Sequence, residues 1–485
     1  MADAGTARRD LTVGPIAPTL LAFALPTLGS SALQSLNGSI NAIWVGRFLG
    51  EDAIAATANG NLVMFMLIAF VFGFGMAATI LIGQAFGRRD IDGARRTIGT
   101  AIGSFVTISV LLAAAGWILA PQILALLDTP GDALPLALDY LRVIFIGMPA
   151  TLMMTMLMMA LRGSGDSMTP LWFMGISVIV VAALNPVFIL GLGPFPALGI
   201  AGSALASTIA SFVSLAAMVA FIYVRDLPLR LRGHELSYLR PDRALLRIMV
   251  VKGFPMGLQM IVITTSALTM LGLVNREGVQ TAAAYGVTQQ LWTYVQMPAM
   301  ALGAAVSAMA AQNIGAGNWH RVAQITRSGV IFSVVLTGAL IALLTLADDA
   351  AFALFLGGGS AAIPIAKHIQ LIATWGFLFF GVSLVLFGTV RANGQVVGPL
   401  IILFIAMYPV RMGFAFGAYD WIGTDALWLS FPIGMVATMV MATALYLHGG
   451  WKTARMAPEE CPDDEECIEQ AEAVREPGGA LNPAG

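Results

Sequence analysis

The amino-acid sequence predicts an all-α polytopic membrane protein with twelve transmembrane helices in two pseudo-symmetric six-helix lobes. Three observations support this class: the composition, the recurrence of long apolar runs, and an internal repeat. Of the 485 residues, 58% are hydrophobic and only 11% are charged, and the mean hydropathy is +0.83. A soluble chain carries about 25% charged residues. Because so few ionised groups cannot cover a water-facing surface, the composition disfavours a soluble enzyme, a nucleic-acid-binding protein and a disordered scaffold.

The apolar runs predict the individual helices. Each run is long enough to cross a bilayer, which takes about 20 residues. The first run is too long for a cleaved signal sequence, so we expect it to remain as the first spanning helix. Hydropathy places the twelve helices near 16–45, 54–82, 97–119, 136–160, 170–192, 198–223, 245–274, 281–310, 326–347, 364–389, 397–418 and 427–448.

The longest polar interruption, at 225–243, separates the sixth predicted helix from the seventh. It therefore divides the chain into two groups of six helices. The expected organisation is a cytoplasmic N-terminal segment at 1–15, an N-lobe at 16–224, a linker at 225–244, a C-lobe at 245–448 and an acidic tail at 449–485.

The basic residues predict the orientation. Most of the 25 lysines and arginines fall in the N-terminal segment, the linker, the tail and the loops on the same side. Only Arg47, Arg142, Arg276 and Lys367 fall on the other side, and Arg411 lies within a helix. Cytoplasmic loops carry the excess of Lys and Arg. We therefore expect both termini in the cytoplasm and the protein in the cytoplasmic (inner) membrane.

The two halves repeat at nearly one offset. GQAFGRRD after helix two matches AQNIGAGN after helix eight, and RGSGDSMTP after helix four matches RANGQVVGP after helix ten. An even number of helices per half makes the repeat parallel, with its axis along the membrane normal, as in alternating-access transporters. The equivalent pairs are Gln84 with Gln312, Gly87 with Gly315, Arg162 with Arg391, and Pro26 with Pro255.

These paired loops, together with IWVGRFLGEDAIAA after helix one and FPALGIAGSALAS entering helix six, resemble the MATE (multidrug and toxic compound extrusion) family over about residues 14–450. The run LNPVFILGLG in helix five points to its DinF-like branch. The resemblance implies two six-helix lobes forming a V. It also implies export of amphipathic, often cationic compounds in exchange for Na+ or H+, without a cofactor.

The chain departs from that family at the positions expected to couple transport to an ion. Asn41 and Asn185 stand where the branch has aspartates, and Ile263 and Phe380 stand about where the other bacterial branch has carboxylates. An asparagine cannot titrate, so a protonation switch at Asn41 or Asn185 is excluded, although its carbonyl can still ligate Na+. The sequence therefore predicts atypical or weakened ion coupling.

Polar side chains recur at helical spacing in three helices. Such a stripe must face protein or water rather than lipid. It indicates either the wall of a substrate and ion cavity or hydrogen bonding and packing between helices. The residues are Ser30, Gln34, Asn37 and Asn41 in helix one, Gln259 and Ser266 in helix seven, and Tyr285, Gln289, Trp292 and Gln296 in helix eight.

Three further sets of residues have expected roles of their own. Arg411 is expected either to be neutralised by carbonyls near Pro409 or to extend towards an interface; the alternatives are that it holds an anionic substrate group or a hidden counter-ion. The repeat residues Gln84, Gly87, Arg162, Gln312, Gly315 and Arg391 are expected to be structural and gating residues at helix ends. Cys461 and Cys467 flank an acidic run, which predicts a solvated, disordered tail, with metal binding or redox sensing as the alternative.

The leading functional prediction is a monomeric secondary transporter, an antiporter-type multidrug exporter of small amphipathic organic compounds. One alternative is a flippase of the wider MOP superfamily, or an exporter of an endogenous lipid-linked compound. The others are an uncoupled facilitator and a non-transporting receptor or scaffold. An enzyme is not expected, because the sequence offers no catalytic triad, metal cluster or phosphate loop. No nucleic-acid partner is expected either.

Overall fold

The computed structural model describes residues 10–49, 69, 71–126, 134–191, 196–356 and 360–456, and these ranges contain helices and turns but no β-strand. The helices of the first half are α1 (Ile16–Leu49), α2 (Val71–Gly87), α3 (Ile91–Leu126), α4 (Leu134–Gly163), α5 (Met168–Leu190) and α6 (Gly199–Val224). Those of the second half are α7 (Arg243–Val274), α8 (Val279–Gly315), α9 (Trp319–Leu346), α10 (Asp348–Leu356), α11 (Ala362–Ala373), α12 (Gly376–Ala392), α13 (Val397–Ile405), α14 (Gly413–Gly417), α15 (Tyr419–Ile422) and α16 (Asp425–His448).

The predicted fold class is confirmed. Within the described ranges, ten helical segments are long and apolar enough to cross a membrane, and the bent pair α11 and α12 forms an eleventh. The remaining predicted span corresponds to α2, which is shorter because residues 54–68 and 70 of the predicted helix lie outside the described part of the chain. The N-terminal residues 1–9 and the tail with its two cysteines also lie outside it.

Two predicted helices are interrupted. The predicted helix at 364–389 bends by 47° between α11 and α12. The predicted helix at 397–418 is continuous in direction but contains a π-helical turn at Ala406–Met412, which includes Pro409. Proline has no N–H to donate and its ring crowds the preceding turn, so a helix that contains one departs locally from α geometry. Hydropathy cannot report either break, because both segments are apolar on average and hydropathy carries no information on backbone geometry.

Each half has its own set of helix contacts. In the first half, α4 packs on α3 and α6, and α5 packs on α1 and α6. In the second half, α8 packs on α9 and α12, α12 packs on α16, and α7 packs on α13. The pairs α1–α5 and α7–α13 occupy equivalent places in the repeat, as do α3–α4 and α9–α12. The three-dimensional packing therefore follows the internal repeat of the sequence.

The first helix of each half also reaches the other half. Leu20 and Phe23 of α1 lie in one buried cluster with Leu302, Val306 and Met309 of α8. On the other side, α7 crosses α2 where three glycines meet, Gly73 of α2 with Gly253 and Gly257 of α7. An ideal Cβ on Gly73 would lie 2.8 Å from Gly257 Cα, and one on Gly253 would lie 2.9 Å from Phe74 Cα. Only hydrogen fits at such a crossing, so these glycines allow the two halves to approach backbone to backbone.

Candidate functional site

Two glutamines join the halves where α2 and α8 end. Gln84 Nε2 donates to the carbonyl oxygen of Ala392 at 2.7 Å, and Gln312 Nε2 donates to that of Gly163 at 3.0 Å. The acceptors are the last residues of α12 and α4, two helices that occupy equivalent places in the two halves. Each glutamine therefore binds a helix end in the half to which it does not belong. Both side chains are buried. The two bonds are therefore related by the same pseudo-twofold axis as the sequence repeat.

The paired glycines lie at the same contact. An ideal Cβ on Gly87 would lie 2.8 Å from the carbonyl carbon of Gln312, and one on Gly315 would lie 2.8 Å from that of Gln84. Carbon atoms pack at about 3.5–4.0 Å. A side chain at either position would thus push the halves apart. We call Gln84, Gly87, Gln312 and Gly315 the gate contact.

The chain's N-terminal segment covers one side of the gate contact. Leu11 is fully buried, its N–H donates to Gln312 Oε1 at 3.3 Å, and its carbonyl accepts from Asn313 Nδ2 at 3.0 Å. Sequence reasoning missed Leu11, since a single leucine in a polar segment carries no periodic signal. The arginines predicted beside the gate lie in the last turns of α4 and α12. Arg391 Nε donates to the Phe387 carbonyl at 3.1 Å, and Arg162 Nε has no hydrogen-bond partner.

The first half contains a polar cluster around Asn41. Its Oδ1 accepts from the Ser203 hydroxyl at 2.5 Å and from Asn185 Nδ2 at 3.4 Å, and the Tyr140 hydroxyl also forms a hydrogen bond with Asn41. The structure thus brings together the two asparagines singled out from the sequence. Ser203 and Tyr140 were not singled out, although Ser203 belongs to the FPALGIAGSALAS run that supported the family resemblance.

Two amide oxygens near this cluster have no hydrogen-bond partner. They are the buried Oδ1 atoms of Asn37 and Asn185, and Asn185 is fully buried. A buried carbonyl oxygen without a donor costs about 1–3 kcal/mol, unless a cation or water satisfies it. Among the other predicted residues of α1, Gln34 is exposed and the Ser30 hydroxyl donates to the Pro26 carbonyl within the same helix.

In the second half, Tyr285 and Trp292 of α8 lie in an aromatic cluster with Trp428 and Phe431 of α16. The Tyr285 ring stacks on Trp428 with centroids 6.0 Å apart, and the Trp292 ring lies 4.9 Å from that of Phe431. Trp292 Nε1 donates to Thr374 Oγ1 at 2.8 Å, at the break between α11 and α12. The predicted aromatic residues are therefore buried in the lobe, while Gln289 and Gln296 on the same stripe are half-buried.

The two predicted residues of α7 have different environments. Gln259 is buried and its Nε2 donates to the Val396 carbonyl at 3.1 Å, where it fixes the start of α13. Ser266 is fully buried, and its hydroxyl accepts from Arg411 Nη1 at 3.4 Å. The two partners belong to the same span, Val396 at its start and Arg411 in its π-helical turn.

Arg411 is a buried cation in the π-helical turn. Its side chain is 6% exposed, and its guanidinium carbon lies 3.7 Å from the centroid of the Phe431 ring. No hydrogen bond to a carbonyl and no carboxylate partner is found for it among the described residues. A charged residue inside a membrane costs at least about 2.5–3.5 kcal/mol. The expected neutralisation by carbonyls near Pro409 is therefore absent from this conformation.

The carboxylates of the described ranges lie at helix ends and in loops. Asp166 is buried, but its Oδ1 accepts from the N–H groups of both Met168 and Thr169 and so caps α5. Within these ranges no three His, Cys, Asp or Glu side chains cluster as metal ligands would. A surface cavity of about 320 Å³ lies beside Asp348 and Lys367, and its lining includes neither the polar cluster nor Arg411.

Two equivalent helical halves, joined by a pseudo-symmetric gate contact, define a two-lobed membrane transporter. The MatE family model matches this chain twice, over residues 26–187 and 255–416. The chain belongs to the MATE family of multidrug efflux transporters. The doubled match begins at the two prolines that the repeat had paired.

Relatives cover nearly the whole chain. The probable multidrug resistance protein YoeA of Bacillus subtilis strain 168 is 34% identical over 426 residues, 87% of this chain and 92% of YoeA. YpnP of the same strain, also a probable multidrug resistance protein, is 30% identical over 93% of this chain and 99% of YpnP. A solved structure described as the outward-facing conformation of a multidrug resistance MATE family transporter of the MOP superfamily has a TM-score of 0.84, with 18% identity over 92% of this chain and 98% of that chain.

Proposed function

We propose that this protein exports amphipathic organic compounds by alternating access between its two lobes. The observation that carries the proposal is the gate contact, where Gln84 and Gln312 form equivalent bonds between opposite halves. Such bonds close one end of the space between the lobes and can break without disturbing the core of either lobe. A membrane receptor or scaffold has no need of a reversible contact of this kind.

The closed end is proposed to face the cytoplasm. Leu11 near the N-terminus lies against Gln312, and the carbonyl of Trp451 beyond α16 accepts from Asn393 Nδ2 at 2.9 Å, so both described termini lie at this end. The arginine-rich loops after α2 and α6 belong to the same side. The positive-inside rule supports a cytoplasmic location for this end, and on this proposal the conformation is an outward-facing one.

Ion coupling is proposed to be weak. The Asn41 cluster contains no titratable carboxylate, so it cannot exchange a proton at physiological pH. The partnerless oxygens of Asn37 and Asn185 are hard donors that suit Na+. Without a negative charge, however, they would hold the ion only weakly. Substrate would then move mainly down its own concentration gradient.

Transport in proteoliposomes tests both parts of this proposal. The purified protein is reconstituted with a Na+ gradient, a proton gradient or no gradient, and the movement of rhodamine 123, a fluorescent amphipathic cation, is followed. We expect downhill movement without a gradient, slight stimulation by Na+ and no response to protons. Asn41→Asp restores a carboxylate beside Ser203 and Asn185 and should make transport ion-driven and uphill.

The matched control is Asn318→Asp, which makes the same chemical change at an exposed position at the start of α9. It should transport the dye as the parent does. Uphill, ion-driven transport by the parent would refute weak coupling while supporting export. Absence of dye movement in the parent and in every variant would refute the export of amphipathic cations.

A further inference from the structure

The Arg411 side chain is held in an unusual stretch of backbone. It lies in the π-helical turn at Ala406–Met412, and π-helical turns are frequent at functional sites. Gly434 of α16 makes room for its stem, since an ideal Cβ there would lie 3.1 Å from Arg411 Cβ. Both features allow a long cationic side chain to lie inside the second lobe.

The hydrogen bonds of the guanidinium leave one edge free. Nη1 has two weak partners, the Ser266 hydroxyl at 3.4 Å and the Met407 sulfur at 3.8 Å. Nε and Nη2 are buried and have no partner. These two nitrogens form the side edge of the guanidinium, whose parallel N–H groups bind a carboxylate or phosphate in a bidentate manner. The part of Arg411 that best recognises an oxyanion is therefore the part without a partner.

A third donor and an aromatic wall accompany this edge. Tyr285 is fully buried, its hydroxyl has no partner, and its ring centroid lies 6.1 Å from that of Phe431. The Phe431 ring lies against the guanidinium at 3.7 Å, and the Tyr285 ring stacks on Trp428. Aromatic faces bind planar ring systems. The surroundings thus combine oxyanion donors with a surface for an aromatic body.

We propose that Arg411 and Tyr285 form an anion-binding subsite in the second lobe, which takes the carboxylate, or a chemically equivalent phosphate, of an aromatic substrate. This inference rests on the proposed export function and names its substrate class: amphipathic aromatic zwitterions and anions as well as cations. The guanidinium is buried in this structure, so the anionic group reaches it through the helix movements of the transport cycle. Ser266 orients the guanidinium from α7.

Two probes that differ only in their anionic group test the subsite. Rhodamine 110 has a free carboxylate, and rhodamine 123 is its methyl ester. Binding of each dye to the purified parent protein is measured by quenching of tryptophan fluorescence, and transport of each is measured in proteoliposomes. We expect the parent to bind the free acid more tightly. Arg411→Gln should weaken binding of the acid by about tenfold or more and leave that of the ester unchanged.

Three variants separate the effect of the bidentate edge of the guanidinium from the effects of its charge and of folding. Arg411→Lys keeps the charge but loses the bidentate edge, so most of the preference for the acid should disappear. Tyr285→Phe preserves the ring packing and should weaken binding of the acid by a few fold only. Arg225→Gln is the matched control, because Arg225 also lies over a phenylalanine ring, at 5.8 Å, but is exposed at the end of α6. It should change neither affinity.

Equal effects of Arg411→Gln and Tyr285→Phe on acid and ester would overturn the proposal and leave Arg411 with a packing role. Competition by inorganic phosphate or chloride supplies a further arm. If either ion abolished the tighter binding of the acid relative to the ester, the subsite would be assigned to a small free anion. That result would overturn the substrate proposal. If the parent transports neither dye, the proposed function is refuted instead. The binding titration then still tests whether the anion-binding subsite exists.

Discussion

Replacement of Gly315 by alanine should open the gate contact. A Cβ at this position would lie 2.8 Å from both the carbonyl carbon and the Cα of Gln84, and closer still to the carbonyl oxygen. Carbon atoms need about 3.5–4.0 Å. The two lobes must therefore separate by roughly 1 Å at this point to accommodate a single methyl group.

The energetic cost follows from the bonds that this separation breaks. The two inter-lobe bonds of Gln84 and Gln312 measure 2.7 and 3.0 Å. A displacement of roughly 1 Å takes both beyond hydrogen-bonding distance. A buried neutral hydrogen bond contributes about 0.5–1.5 kcal/mol, so the closed conformation should lose about 1–3 kcal/mol. The equilibrium constant between the closed and open conformations should therefore shift by about 5–150-fold towards the open one.

Distances between spin labels measure the shift. Cysteines that replace Arg88 and Asn318 place one nitroxide in the exposed loop after α2 and another in that after α8. A background without the two native cysteines avoids labelling of the tail. We expect the population with longer distances to increase in Gly315→Ala. Gly286→Ala is the matched control, because it adds a methyl group to the same helix where no atom lies within 4 Å.

An unchanged distance distribution in folded Gly315→Ala would show that the close approach does not hold the gate. The same conclusion would follow if Gly286→Ala opened the gate equally. Gln84→Leu provides an independent route, since it removes one of the inter-lobe bonds but keeps both glycines. It should shift the population in the same direction by a smaller factor.

Three further predictions concern the N-terminal segment, the aromatic cluster and the orientation. Leu11→Ala removes a fully buried side chain beside the gate and should destabilise the closed state by about 2–5 kcal/mol, seen with the same labels; no shift would mean that the segment does not brace the gate. Thr374→Val leaves the Trp292 indole N–H without its 2.8 Å acceptor and should cost about 1–3 kcal/mol as a lower melting temperature in detergent, whereas Thr374→Ser should not. A cysteine replacing Trp421, which is 88% exposed, should react with an impermeant maleimide in intact cells, whereas one replacing Arg88 should react only after lysis; the reverse pattern would invert the proposed orientation.

The sequence repeat predicted which residues are equivalent, but not how they interact. Gln84 and Gln312 were paired by their place after equivalent helices, and the structure gives them equivalent acceptors in opposite halves. The acceptors are backbone carbonyls, which carry no sequence signature. The cavity assignment of the polar stripes and the residue limits of the lobes stay predictions, since burial and hydrogen bonding do not identify a bound substrate.

The periodic polar stripes predicted which residues share a helix face, but not the groups that those residues contact. Gln259 and Ser266 share a face of α7, and their partners, Val396 and Arg411, lie at the start and in the π-helical turn of one neighbouring span. Asn41 and Asn185 were expected to matter through the family resemblance. Their cluster with Ser203 and Tyr140 depends on where α4, α5 and α6 pass α1, which no spacing in a single helix can report.

The sequence by itself determined the membrane class and the duplication, because hydropathy and repeated motifs are properties of local segments. Only the tertiary structure decided the environment of Arg411. Its contacts come from Ser266 of α7 and Phe431 of α16, and helix packing brings Ser266 to it from 145 positions earlier in the chain. Whether a buried charge is satisfied depends on those distant groups, and therefore on the fold rather than on the residues beside it in the chain.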